Sequence, residues 1–457
     1  MINFKTIVIT VLLIISLLFN ISCIMSRKAA EMNNQGFDNS RKGNYEEAIK
    51  YYDKAIEADP KFVKPWFNKG IALWKQGKYG EAIKCYDRAL ELDSNNIKIW
   101  NNKGLVLANQ EKYEEAIKCY DKVLSIKPDY TYALNNKGLA LFYLGKPEEA
   151  MNYIDKALNI DPEFSNAWDT KGDILETKGN YDEAIDCYDK AIAIDPNCAD
   201  FWQSKAIAFD AKKNYEESVK CFNKSLELQP DCTDVLIKNG KALYNLGKYE
   251  DAIKCFDKII ALDPKNLDII VIKGQALYNQ HNYEEAMKCF NRALEIDSHC
   301  VASLKNKGLT LMMLKAGTDA IACFNTCLNL DPLCGDAWIA KGKILYDRHQ
   351  YNEALDCYSN ALKISPDNIE ILLEKGKILG YIYDRYDEAI KCYNRVLELE
   401  PDNIDALYYK GLVLDKQKNY REAIKCYDKI LSLGSTRYTD PLVRKTNDLK
   451  ALEKRGK

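Results

Sequence analysis

From Ala29 onward the chain alternates short apolar stripes at helical spacing with polar breaks. In the stretch Trp100, Leu105, Leu107 and again in Ala116, Tyr120, Val123, Leu124, apolar side chains return every three or four residues. That spacing gathers them on one face of a helix. Gly-Asn, Gly-Lys or Gln-Glu-Lys lies between many such pairs of stripes, and Asp-Pro closes most of them. Both are helix-stopping signals. The pattern predicts two amphipathic helices per segment, with no strand period anywhere.

The segment recurs. Its alanines stand at Ala48, Ala82, Ala116, Ala150, Ala184, Ala252, Ala286, Ala320, Ala354, Ala389 and Ala423, with Ser218 in the one gap, in steps of 34 residues and one of 35 at Ala354–Ala389. The extra residue is expected in the turn near Tyr383–Arg385. A glycine column (Gly70, Gly104, Gly138, Gly172) and an aromatic column (Tyr86, Tyr120, Tyr188, Phe222, Phe256, with Ile154 the aliphatic member) keep the same step. Small residues let paired helices approach closely. A lone pair cannot bury its own stripe, so stacking is required and the expected product is a solenoid.

In Trp168, Gly172, Tyr181, Ala184, Tyr188, Ala191 and Pro196 the unit resembles the tetratricopeptide repeat. The resemblance implies an all-α, right-handed superhelical solenoid of antiparallel helix pairs that binds proteins or peptides on its concave face. Unit four departs with Pro147 in the tyrosine column and unit nine with Gly317. The expected organisation is an N-terminal hydrophobic helix acting as membrane anchor or signal in 1–28, twelve repeats over 29–437, and a capping helix or tail over 438–457, where Leu442, Leu449 and Leu452 stand among basic residues.

In this family the first helix of each unit lines the concave face. Two residues before the glycine stand Asn34, Asn68, Asn102, Asn136 and Asn306. A carboxamide offers one donor and one acceptor edge, as a peptide bond does, so such a ladder could hold an extended chain whatever its side chains. Shared ancestry of the repeats explains the same column equally well. Leu105, Leu139, Trp74 and Phe142 give the first units an apolar groove, whereas Lys241, Lys343 and Lys377 make the later groove charged. The family's two-carboxylate clamp needs Lys and Asn one turn apart on one first helix; Lys305 is followed by Leu309, and no unit supplies both. A lysine column directly before the glycine (Lys69, Lys103, Lys137, Lys171) reads as packed aliphatic stems with solvated ends.

Composition narrows the chemistry. Lys+Arg is 65 against Asp+Glu 67, a net charge of −2, so the excess positive charge that drives nucleic-acid binding is missing. The chain has 16 Cys. Those in register (Cys85, Cys119, Cys187 and onward) stand one helix-packing distance apart, too far to form disulfides with each other. A soft-metal or redox use of Cys323, Cys327, His299 and Cys300 is the alternative to packing. No phosphate loop, His-Glu-x-x-His or Cys-x-x-Cys is present. We therefore expect no enzyme, no cofactor, no metal and no small-molecule substrate.

Residues 6–25 are almost purely apolar, and as a helix would span roughly 30 Å, a bilayer's hydrocarbon core. They are expected to make the chain a single-pass membrane protein, with the side left open. Asn20-Ile21-Ser22-Cys23 partly resembles a lipobox, so a lipoprotein modified at Cys23 and active in envelope assembly, or a cleaved secretory signal, are the alternatives. The function expected is a non-catalytic scaffold that holds extended polypeptides and assembles a complex at a membrane.

Overall fold

The computed structural model describes residues 25–434, 437–438 and 440–454. The expected anchor over 6–25, with Cys23, lies outside these residues except for Met25. Among the described residues no helix is long and apolar enough to cross a membrane. Contacts divide the chain into two compact units, the first ending at Val235 and the second beginning at Leu236.

Helices are the only regular elements among the described residues. In the first unit a helix over 25–41 precedes Tyr45–Ala58. Helix pairs follow, such as Ile97–Asn109 with Tyr113–Ile126, Thr131–Tyr143 with Pro147–Ile160, and Ser165–Thr177 with Tyr181–Ile194. The second unit continues in the same way to Ile404–Lys416 with Tyr420–Ser432, and then Pro441–Lys454. First helices have 13 residues and second helices 14 in the three pairs named for the first unit, and both have 13 in the last pair. Helices this short are marginal alone; the stripes they bury against one another hold them.

The glycine column has a more specific reason than helix approach in general. A Cβ built on Gly172 would lie 2.4 Å from the ring of Tyr188, and one on Gly104 2.5 Å from Tyr120. Glycine thus makes room for the aromatic ring of its own unit, 16 residues on. Gly138 does the same for Ile154, at 2.6 Å. These rings are the largest fully buried side chains of the core.

Mid-pair turns close with one residue in the left-handed region. Glycine holds it at Gly77 (φ 74) and Gly179 (φ 80), but Glu111, His281 and His349 hold it at φ 60, 61 and 59. Around Gly77 the Gly77 N–H donates to Trp74 O and the Lys78 N–H to Leu73 O, satisfying carbonyls at the helix end. A side chain in this conformation is strained. Glu111→Gly is therefore expected to stabilise the chain by about 0.5–1 kcal/mol, read as a raised urea midpoint; an unchanged or lowered midpoint would contradict the assignment of strain.

The extra residue of the 35-residue step does not sit in the turn. Ile369–Lys377 continues as a π-helical turn, Ile378–Ile382, in which the Tyr383 N–H donates to Ile378 O. The turn over 383–385 keeps the three residues found at 348–350. A π turn absorbs one residue without breaking the helix, so Gly376 still makes room for Tyr393, whose ring a Cβ there would meet at 2.6 Å, while the following helix keeps its phase. Gly380, inside the π turn, passes so close to Val413 that a Cβ would lie 2.7 Å from it.

The lysine column is paired. Lys69, Lys103, Lys137, Lys171 and Lys273 reach Asp53, Asp87, Asp121, Asp155 and Asp257 at 2.5–2.7 Å, always 16 residues back on the preceding second helix. The stems pack as expected, but the ammonium groups tie one repeat to the next. With the aspartates about half exposed, each pair contributes at most about 1 kcal/mol. Later lysines face other residues at this register: Lys375 donates to Ser359 Oγ.

Candidate polypeptide-binding face

The asparagine column lies on first helices, but its members are not equivalent. Asn34 is exposed, and Asn68, Asn102, Asn136 and Asn306 are half-buried. Asn68 Nδ2 donates to Asn33 Oδ1 at 3.0 Å, Asn136 Nδ2 donates to Asn101 Oδ1 at 3.2 Å, and Asn102 Nδ2 donates to Lys98 O of its own helix. Each of these bonds uses one of the two N–H groups of its carboxamide, so a second N–H and the oxygen remain at each rung for a ligand's peptide groups. Asn306 Nδ2 is buried without a hydrogen bond. Asn33 and Asn101, one residue before the expected column, are buried and orient it; in sequence they look like ordinary polar helix positions.

Asn136, Leu105 and Leu139 come together around a cleft of ≈ 410 Å³ between the helices Ile97–Asn109, Tyr113–Ile126 and Thr131–Tyr143. Tyr113 and Tyr143 form one wall, their rings stacked 5.4 Å apart at 19°. Tyr120 also lines the cleft; its side chain is fully buried, yet its hydroxyl has no partner. The hydroxyls of Tyr86 and Tyr393, in the same aromatic column, are likewise buried without a partner, a cost the packed column carries. Asn68 borders a smaller cleft of ≈ 260 Å³ with Val63, Phe67 and Ile99. Trp74 and Phe142 turn partly away, packing on core clusters rather than lining these clefts.

Beyond the tyrosine wall the asparagine column gives way to Thr170, and acids take the registers on either side of it: Asp169 where Asn101 and Asn135 stand, Asp173 where Leu105 and Leu139 stand. Asp169 and Asp173, one turn apart on Ser165–Thr177, hold carboxyls pushed up by burial and by neighbouring carboxylates, Asp169 to about 7 and Asp173 to about 6. The groups around Asp169 are Asp173, Asp200, Glu176 and the Ser204 hydroxyl; Asp173 accepts from the Tyr188 hydroxyl at 2.9 Å and faces Glu176. The same two aspartates, with Tyr113, push the Tyr143 hydroxyl up once burial has acted. Sequence reading passed over this cluster because two aspartates four apart on a helix look like a solvated face.

In the second unit the groove lysines find acids. Lys343 meets Glu370 at 2.6 Å, and Lys377 meets Glu374 at 2.8 Å with its ammonium over the Tyr409 ring. Lys241 is exposed. This half presents paired charge rather than a basic face. The cysteines among the described residues are free thiols. Burial pushes Cys85, Cys119, Cys221 and Cys357 up to about 11, so they stay protonated and unreactive near neutrality. No three of His, Cys, Asp and Glu among the described residues are grouped as a metal would need.

Two family models place the repeats. One described as tetratricopeptide repeat matches residues 63–96, 97–130, 131–164, 166–198 and 404–435; another, described as TPR repeat, matches 41–77, 342–380 and 384–418. The chain belongs to the tetratricopeptide-repeat family. A tetratricopeptide-repeat chain of this kind is a protein-interaction scaffold, which binds other proteins or peptides. A model described as anaphase-promoting complex, cyclosome, subunit 3 matches residues 211–293. Among curated proteins, an uncharacterised protein of Methanocaldococcus jannaschii is 40% identical over 47 residues, 10% of this chain and 55% of that protein. The chain thus spans about half the length of the curated relative it matches. Among solved structures, yeast Tom70 is 18% identical, with 87% of this chain and 96% of that one covered at a TM-score of 0.38. The C-terminal part of a TPR repeat-containing protein from Cytophaga hutchinsonii is 20% identical, covering 52% and 98% at a TM-score of 0.45.

Proposed function

We propose that this tetratricopeptide-repeat chain is a non-catalytic scaffold that holds extended polypeptide segments along the first helices of its first unit and assembles a complex at a membrane. The observation that carries the reading is the cleft lined by Leu105, Leu139, Tyr113, Tyr143 and Asn136. It joins an apolar seat to a carboxamide acceptor and a buried hydroxyl without a partner. An extended chain carries both kinds of group at regular intervals, and side-chain-independent rungs such as Asn68 and Asn102 would give it a weak, sequence-tolerant grip of about 1 kcal/mol each. Residues 6–25 would serve as the anchor; a chain lacking them should then leave the membrane fraction.

The test is affinity capture from native membranes with three proteins: wild type, Leu139→Asp, and the triple variant Asn68→Ala, Asn102→Ala, Asn136→Ala. Leu139→Asp places an unpaired carboxylate in the apolar seat and is expected to weaken partner retention at least tenfold. The triple variant should lose less. If both variants keep unchanged circular dichroism and capture the same proteins as wild type, this face is not the binding site.

A further inference from the structure

The cleft and the acidic cluster adjoin one another through Tyr143, which lines the first and is influenced by Asp169 and Asp173 of the second. The cleft's polar lining consists of Asn109, Glu111, Asn136 and the hydroxyls of Tyr113, Tyr120 and Tyr143; the rest is apolar. The cluster is of one sign. Neither Asp169 nor Asp173 forms an ion pair among the described residues, and the titratable groups that face them are other acids and tyrosines. Asp173 and Glu176 share the Tyr188 hydroxyl, which has one proton to give. Asp169 Oδ1 is buried with no donor at all, and so is Oδ1 of Asn135, on the same helix as Tyr143 and 6% exposed. Acids on second helices of this unit, by contrast, are matched, as in the Lys103–Asp87 and Lys137–Asp121 pairs. The first helices carrying the cleft and the cluster, Thr131–Tyr143 and Ser165–Thr177, are successive. Neighbouring layers stand roughly 10 Å apart, which an extended chain at about 3.3 Å per residue covers in about three residues.

We propose that the first unit reads a two-part signal: an apolar side chain seated between Leu105, Leu139, Tyr113 and Tyr143, and a lysine or arginine about three residues along the same extended segment, received by Asp169 and Asp173. This rests on the reading of the face as a polypeptide groove and adds the chemistry of its partner. A basic side chain supplies the N–H donors that the buried oxygens lack, and its charge offsets the repulsion between the carboxyls. Guanidinium suits the paired acids better than ammonium because its fork meets two oxygens at once. Because Asp169 is partly protonated near neutrality and Asp173 gains a proton somewhat below it, receiving the cation expels protons over this range. Binding therefore strengthens as pH rises from about 5.5 to about 8.

Fluorescence anisotropy on the full chain in detergent tests this, with labelled twelve-residue peptides of Gly, Ser and Asn carrying Leu-x-x-Arg, Leu-x-x-Glu or Ser-x-x-Arg. The Arg peptide should bind at least tenfold more tightly than the Glu peptide at pH 7.5, and the gap should narrow at pH 5.5. Asp169→Asn with Asp173→Asn should erase both the gap and its pH dependence while leaving the apolar contribution. Leu139→Asp should weaken both leucine peptides. Equal binding of the Arg and Glu peptides overturns the inference and leaves the groove reading standing. If no leucine peptide binds wild type at any pH, both fall. An Arg preference that survives the double Asn variant places the cation elsewhere and overturns the assignment to these aspartates.

Discussion

Cutting Phe256 back to alanine is expected to destabilise the second unit by about 3–5 kcal/mol, the range for deleting a fully buried aromatic. Phe256 is fully buried, and its ring lies so close to Gly240 that a Cβ there would sit 2.6 Å away. No side chain on Gly240 can move in to fill the space, so the cavity stays. Repeat arrays are stabilised by each repeat and its immediate neighbours, so the loss should be local. Urea unfolding followed by circular dichroism should show an early transition split from the main one, and hydrogen exchange should place the newly exposed amides in Thr233–Asn245 and Tyr249–Leu262. Phe256→Leu should recover most of the loss. An unsplit curve with an unchanged midpoint would mean that the glycine–aromatic contact is not what binds the two helices of a pair.

Asp448 is the other position where a single change should act strongly, and its sign depends on pH. It lies 5% exposed on Pro441–Lys454, against Asp415 of Ile404–Lys416. Asp415 Oδ2 accepts from the Tyr427 hydroxyl at 3.0 Å, whereas Asp415 Oδ1 and Asp448 Oδ2 are buried with no donor. Burial pushes the Asp448 carboxyl up to about 8, helped by the hydrogen bond and charge of Asp415 and opposed by Arg444. An unfolded aspartate loses its proton near about 4. Between those values the folded state holds a proton that the unfolded chain has released, so stability falls as pH rises and the loss is complete above about 8. The C-terminal helix is also held by Lys445–Asp428 at 2.5 Å and by the Tyr438–Tyr408 stack beside it. Alkaline solution should therefore loosen this helix while the repeats stay folded. Asp448→Asn keeps the shape and supplies a permanent donor. At pH 9 it should stabilise the helix by about 2 kcal/mol, and it should flatten the pH dependence. Amide exchange of residues 441–454 against pH measures this. Identical slopes for wild type and variant would show that the two carboxyls do not share a proton.

The legible part of this protein was the part that repeats. Thirty-four-residue spacing, the Gly104–Tyr120 and Gly172–Tyr188 registers and the Asp-Pro stops were all readable, because each copy must bury the same stripe on its neighbour. What sequence reading left out depends on distances between copies. The Lys–Asp ties join residues 16 apart on different helices, and no helical period pairs them. The π turn at Ile378–Ile382 looks in sequence like one added loop residue, and only the conserved length of the turn at 383–385 shows that the helix took it up.

The candidate face divides along the same line. By itself the sequence determined that first helices carry Asn68, Asn102 and Asn136 at one register and Leu105 and Leu139 at another three residues on, since the repeat length places them there. Which N–H of each carboxamide is spent, which tyrosines wall the cleft and why the Asp169 and Asp173 carboxyls are pushed up were decided by the tertiary structure alone. Hydrogen-bond donors are claimed by whichever acceptor packing brings within reach, and a carboxyl's charge depends on how much water its neighbours exclude.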